Sequence, residues 1–285
     1  MNDKLVGDLA GLSQPLTKLI DAISSGIGNL YEPTHIRRKA KADADAQLIL
    51  TEAEIKAEEL KRRRDERVEF RELRRQENIE NIIARTVKEL PENVDEKPVD
   101  EDWVFQFFEL CQDVSNDEMQ SLWSKLLAGE VTRPGSYSLR TLNLIKMMKR
   151  EDAALFTKFC NYIWGDDGHK GGIVYFVTDA IDDLIEAKGV SFLSMLHLQA
   201  IGLVEMNNVY TTLYKDNPTN IFYFGKEYLV KPIKKGSAQI KSRVLTDIGQ
   251  ELAPICGAQA DEEYLQALKK SLLSEGVSLE ACNGW

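Results

Sequence analysis

Three observations predict a mainly α-helical chain with an N-terminal amphipathic helix, a long charged helix, a central helical domain and a C-terminal α+β winged-helix-like domain. Apolar residues recur every three or four positions through most of the first 165 residues. A run of alanine, glutamate, lysine and arginine fills 36–90, the composition of a long solvated helix. Beyond 165–172, rich in glycine and aspartate, β-branched and aromatic residues gather into short strand-like runs.

Residues 1–33 form the first segment. Leu5, Leu9, Leu12, Leu16, Leu19, Ile23, Ile27 and Leu30 draw one apolar stripe along a helix, with Asp8, Lys18 and Asp21 off it. Gly7, Gly11, Gly26 and Gly28 weaken such a helix by about 1 kcal/mol each against alanine. Pro15 either breaks the segment or opens a second helix in its first turn, and Pro33 ends it.

Residues 34–90 form the long charged helix. It opens on Arg37, Arg38, Lys39 and Lys41, carries a second basic cluster at 61–64, and turns amphipathic only at Ile79, Ile82, Ile83, Val87 and Leu90. A stalk or coiled coil fits this better than a globular core. Pro91 stops it, and 91–98 reads as a linker.

The helical domain spans 99–165. Trp103, Phe107 and Leu110, beside Val104, Phe108 and Cys111, predict a buried first helix. Ser115 with Glu118 reads as a capping box for a helix bearing Met119, Leu122, Trp123, Leu126 and Leu127, terminated at Gly129. A turn at 133–136 follows. Ser138 then caps a helix with Leu142, Ile145 and Met148, and another carries Leu155, Phe159, Tyr162 and Ile163.

In 172–257 the expected order is a strand at 173–177, helices at 179–188 and 191–201 closed by Gly189 and Gly202, and strands at 203–206, 209–214, 221–224 and 228–233. Asn207-Asn208 reads as a hairpin turn, and Thr246 as the cap of a helix holding Ile248, Leu252 and Ile255. The last segment, 258–285, is one amphipathic helix with Tyr264, Leu268 and Leu272, then a loose tail.

Composition narrows the function. The net charge of −10 excludes bulk attraction to polyanions, so any nucleic-acid site must be a local basic patch. Cys111, Cys160, Cys256 and Cys282 lack C-x-x-C spacing and read as reduced cytosolic thiols. Neither a secretory signal nor an uncharged apolar run of transmembrane length is expected, which points to the cytoplasm. No H-E-x-x-H, G-x-S-x-G or phosphate-loop spacing occurs, and His35, His169 and His197 stand apart. The expectation is a protein that is not an enzyme, with no catalytic residues, no cofactor and no metal. Asp166, Asp167 and His169 read as a solvated loop rather than a metal site.

Two surfaces remain as candidates. The N-terminal stripe docks on the protein's own helical domain, zips with copies of itself, or enters a bilayer interface. The basic run at Arg37, Arg38, Lys39 and Lys41 favours the last, as contacts to lipid or phosphate. The second surface follows from Gly202-Leu203-Val204 and Leu245-Thr246 with Gly249 and Leu252, the glycine-ended helix, wing and capped-helix order of winged-helix domains. Its wing, 225–243, offers Lys231, Lys234, Lys235, Lys241 and Arg243 to phosphates. The helix at 192–201, however, has only Ser194, His197 and Gln199 as polar residues, so nucleic acid is not the expected partner. A protein-binding or structural module is the better reading.

Two passages also carry a family resemblance. One is 15–19 with Gly26-Ile27-Gly28-Asn29-Leu30-Tyr31-Glu32-Pro33 and 36–42. The other is Leu122-Trp123-Ser124-Lys125-Leu126-Leu127-Ala128-Gly129-Glu130 with Pro134-Gly135-Ser136 and Ser138-Leu139-Arg140. They resemble a bacterial family of unknown function related to the abortive-infection alpha proteins, over most of the chain. The resemblance singles out Trp123, Pro134, Ser136 and Arg140 and supplies no catalytic residue. It implies anti-phage defence and a winged-helix-like C-terminal part. Taken with the amphipathic N-terminus, the basic run after it and the stalk-like helix, the expectation is a homo-oligomer, triggered by a phage protein, that becomes peripheral to the inner membrane when activated and perturbs it through its N-terminal helices. The alternatives are a winged-helix DNA-binding regulator and an oligomerising adaptor without membrane contact.

Overall fold

The computed structural model describes residues 13–27, 52–165, 174–234 and 236–282, without the side chains of 26, 27, 52–55 and 174. The chain is mainly helical with a C-terminal α+β part and divides into two compact units, Met1–Leu142 and Asn143–Trp285. The division falls inside a helix at 139–147, so the expected helical domain 99–165 is shared between the units.

Unit 1 contains α1 (Gln14–Ile27), α2 (Glu52–Glu89), α3 (Glu101–Cys111), α4 (Asp117–Thr132) and the start of α5 (Leu139–Met147). Pro15 sits in the first turn of α1, where its missing N–H costs no hydrogen bond. The 38 residues of α2 extend about 57 Å at 1.5 Å per residue. Residues 56–74 of α2 are exposed on every side, as a stalk predicts. The second half is not a stalk, because Asn78, Ile79, Ile82 and Thr86 are buried against α4 and α3. Polar bonds fix that docking. Arg75 donates from Nε and Nη2 to the two Asp113 carboxylate oxygens at 2.8 and 3.1 Å. Asn78 Nδ2 donates to the Gln112 carbonyl at 2.9 Å, and Gln120 Nε2 to Asn78 Oδ1 at 3.2 Å.

The core of unit 1 is aromatic. Trp103 stacks on Phe107 at 5.2 Å, and Phe107 meets Trp123 edge-on at 5.2 Å. Two helix-end expectations are corrected here. The N-cap of α4 is Asn116, whose side chain accepts from the Met119 N–H, rather than Ser115 with Glu118. Gly129 does not terminate α4, which continues to Thr132. Its lack of a side chain admits the Tyr137 ring, whose Oη would lie 2.6 Å from a Cβ there. Ser138 caps α5 as expected, its Oγ accepting from the Thr141 N–H at 3.3 Å.

Unit 2 continues with α6 (Arg150–Cys160), β1 (Val174–Phe176), α7 (Asp179–Ala187), α8 (Phe192–Ala200), β2 (Val204–Tyr214), β3 (Thr219–Tyr223), β4 (Lys226–Pro232), β5 (Ser237–Leu245), α9 (Asp247–Leu252), α10 (Glu262–Ser274) and β6 (Val277–Ala281). Two antiparallel sheets form, in the orders β1-β5-β2 and β3-β4-β6. Gly202, at φ 87°, ends α8 with the Leu203 N–H bonded back to the Leu198 carbonyl at 2.9 Å. Thr246 Oγ1 accepts from the Gly249 N–H at 3.0 Å and caps α9.

The sheets correct three strand expectations. Asn207-Asn208 is no turn: β2 runs through it, with a register shift between Glu205 and Val209. The stretch 225–243 is not one wing, because β4 and β5 pair in different sheets. The wing is the β2–β5 ladder, and the β3–β4 hairpin is inserted between its strands. Nor are residues 277–281 loose, since β6 pairs with β4, while 283–285 lie outside the described residues. The Trp164 ring packs on Phe176, Tyr223 and Tyr228, and its Nε1 donates to Tyr264 Oη at 3.0 Å.

Candidate functional site

The N-terminal stripe is the first surface. Leu19 and Ile23 are buried with Ala22 between them, packed against α3 and α4. Leu16 is half-buried, and Ile27 ends the helix. Leu5, Leu9, Leu12 and Leu30 lie outside the described residues, as do Arg37, Arg38, Lys39 and Lys41. Lys18 Nζ donates to the Asp95 carbonyl at 2.6 Å. Burial lowers the Lys18 pKa, and the charges of Asp95 and Glu130 only partly offset that. Along this flank of α1 runs a cleft of about 500 Å³, lined among others by Thr17, Lys18, Asp21, Asp95, Glu96 and Glu101. Its walls are more apolar than polar, with Ala22, Pro98 and Val99 among them, and Asp21, Asp95, Glu96 and Glu101 are its acidic members. One side of the docked helix thus faces solvent-filled space rather than core.

The motif residues behave as a structural clasp. Trp123 is fully buried, and its Nε1 has no hydrogen-bond partner among the described residues. Pro134 and Ser136 form the turn after α4, where Ser136 Oγ donates to the Arg133 carbonyl at 2.6 Å. The group that holds this turn is Glu130, which the sequence reading did not single out. Its carboxylate is buried and accepts from the Gly135 N–H at 2.6 Å and the Tyr137 N–H at 3.0 Å. The available signal was an acid inside Leu126-Leu127-Ala128-Gly129-Glu130-Val131, a run otherwise apolar. Arg140 is exposed.

The five wing cations do not gather. Lys231 lies on β4 and pairs with Glu280 at 3.0 Å. Lys234 is exposed beyond the end of β4, and Lys235 lies outside the described residues. Lys241 and Arg243 belong to β5, in the other sheet. Arg243 corrects the expectation of a phosphate contact: it is buried, with Nη1 3.8 Å from Met195 Sδ on α8. On the outward side of α8 stand Phe192, Leu193 and Leu196, all exposed. The helix position that would enter a DNA groove therefore presents hydrocarbon, which cannot read base edges.

Reactive groups are few. His197 Nε2 lies 2.7 Å from Asp152 Oδ1. Burial alone would raise the Asp152 carboxyl, but its hydrogen bonds to His197 and to the Lys149 N–H hold it below the ordinary aspartate value. Cys160 is buried beside Cys256, and desolvation drives its thiol pKa well up, which makes it a poor nucleophile. Among the described residues no cluster of three His, Cys, Asp or Glu side chains is arranged to hold a metal ion. Nor is any helix of the described residues long and apolar enough to cross a membrane.

Comparison with known proteins adds one finding. The model of a family described as "Protein of unknown function (DUF2806)" matches residues 62–269. No curated protein and no solved structure matches the chain.

Proposed function

The chain belongs to that family of unknown function, and we propose, from its resemblance to the abortive-infection alpha proteins and from the packing of α1, a non-enzymatic anti-phage protein that stores its membrane-active helix against its helical unit. The carrying observation is the burial of Leu19, Ala22 and Ile23 of α1 on α3 and α4. An amphipathic stripe held inside its own protein is a resting state. Burying one leucine and one isoleucine contributes about 3–6 kcal/mol. A phage protein that binds the released form alone, present at about a thousand times its dissociation constant, supplies about 4 kcal/mol, the same order as that burial.

Once released, the stripe would continue into Arg37, Arg38, Lys39 and Lys41, each attracted to an anionic inner membrane by about 1 kcal/mol. Several copies gathered there would perturb the bilayer, with Asp8, Lys18 and Asp21 turned to water. The resemblance of the N-terminal and Leu122–Arg140 motifs to the abortive-infection alpha proteins supports this outcome for the infected cell. The exposed first half of α2 supports a second reading, an oligomerising adaptor that never meets lipid. A third reading, a winged-helix DNA-binding regulator, would have to rest on Lys234 and Lys241, since Arg243 is buried and Lys231 is ion-paired.

The test is fractionation of cells carrying the full chain or a deletion of residues 2–33, before and after phage infection. It is joined to dye leakage from phosphatidylglycerol vesicles. Full-length protein should reach the membrane fraction only after infection, and Lys18→Ala, which loosens the dock, should raise leakage. A chain that stays soluble throughout yet still protects would replace the membrane reading with the adaptor.

A further inference from the structure

In unit 2, two independent observations converge on α8. The first is its outward side. Phe192, Leu193 and Leu196 follow one another along the helix, with Leu193 74% exposed, and α8 carries no aspartate, glutamate, lysine or arginine. Single exposed leucines are ordinary, but three large apolar residues on nine positions without a charge form a patch.

The second observation is Arg243. It comes from β5, reaches Met195 of α8 and is only 8% exposed. Among the described residues its one hydrogen-bond contact is the Met195 thioether, a weak acceptor, and its Nε has no partner. No carboxylate lies within ion-pair reach of it among the described residues. Directly across the ladder stands Tyr175, whose hydroxyl occupies Asp182 at 2.5 Å. A guanidinium buried without an anion is expensive for the fold, and its planar fork matches a carboxylate in two parallel hydrogen bonds. Lys241, two residues back on the same face of β5, adds positive potential.

Charge complementarity thus calls for an anion beside Met195, and the flanking α8 side chains call for apolar area. We propose that α8 and Arg243 form a docking surface for an acidic–apolar peptide segment of a partner protein. Leucine or phenylalanine side chains of that segment lie on Phe192, Leu193 and Leu196, and one aspartate or glutamate reaches Arg243. Opening the path to Arg243 takes rotamer changes in Met195 and its neighbours, the usual extent of adjustment at a preformed interface. A nucleic-acid backbone fits poorly, because its phosphates would have to press charge against Phe192 and Leu193. The inference stands apart from the membrane reading and survives its failure.

The experiment selects displayed randomised peptides on the full-length protein, with counter-selection on Leu193→Asp, a surface change that leaves the core untouched. Recovered peptides should combine Asp or Glu with Leu or Phe. Labelled synthetic copies, followed by fluorescence anisotropy, should lose about ten-fold or more in affinity for Arg243→Met. Replacing the peptide's acid by its amide should give the same loss, which keeps the test valid if Arg243→Met folds poorly. Four outcomes overturn the proposal. They are peptides no more acidic than the library, affinity indifferent to both changes, an oligomer that Leu193→Asp dissociates, and duplex DNA binding that Leu193→Asp abolishes.

Discussion

Gly249 stands so close to Leu203 that a Cβ on it would lie 2.1 Å from the Leu203 carbonyl oxygen. The same carbonyl accepts the Thr246 N–H at 3.2 Å, so the start of α9 is fastened to the turn after α8. Gly249→Ala should therefore force the two backbones apart and destabilise the chain by about 1–3 kcal/mol, the usual range for overpacking. Urea unfolding followed by tryptophan fluorescence would show it. An unchanged midpoint would mean that α9 shifts freely.

Glu130 is the second lever. Its carboxylate takes two backbone N–H groups of the turn after α4. Glu130→Gln turns one acceptor into a donor facing an N–H and removes the charge that strengthens both bonds. A loss of about 1–3 kcal/mol is expected, with Glu130→Asp recovering little because its shorter side chain falls short of the turn. Thermal melts of the three chains check this.

The Asp261–Lys188 pair gives a pH dependence. Burial alone would raise Asp261, but the Lys188 ammonium at 2.6 Å and the Tyr264 N–H at 3.0 Å hold its carboxyl below the ordinary value of 3.8. A depressed folded pKa means that the contribution is present above 3.8 and is lost as the pH falls through the lower, folded value. Stability should stay flat on this account from neutral pH to about 5 and fall below about 4. Asp261→Asn should be weaker at neutral pH and lack that part of the acid decline. Denaturation midpoints measured against pH decide it.

Phe224 breaks a local rule. It occupies the first central position of the β3–β4 turn at φ 46°, followed by Gly225 at φ 76°, and such a turn favours asparagine there. Its ring meets Tyr223 edge-on at 4.9 Å, which offsets part of the strain. Phe224→Asn should stabilise by roughly 0.5 kcal/mol, read as a higher melting temperature. A lower one would mean that the Tyr223 contact outweighs the backbone cost.

What the sequence made legible was local. Thr246, Gly249 and Leu252 announce a capped helix through spacings of three, and Gly189 and Gly202 mark helix ends because left-handed backbone favours glycine there. What it hid was non-local. Residues 277–281 look like a tail until β4 is known to lie beside them. Gly129 mimics a terminator because nothing nearby in sequence announces the Tyr137 ring. At the start of α4, Ser115 and Asn116 both offer a capping oxygen, and one residue of offset separates them. Arg243, in a basic run, looks solvated, and only the packing of α8 on β5 shows otherwise. Of the candidate sites, the stripe of α1 was legible from its period, and docking on the protein's own helical domain was one of three partners the sequence left open, because period alone does not choose among them.

The helices α3 and α4, on which α1 packs, both lie within the first 142 residues of the chain. During synthesis these leave the ribosome before β6, whose pairing with β4 closes the second sheet at the far end of the chain. Domains generally fold as units in order of emergence. Helix α1 is consequently covered while the second unit is still being made.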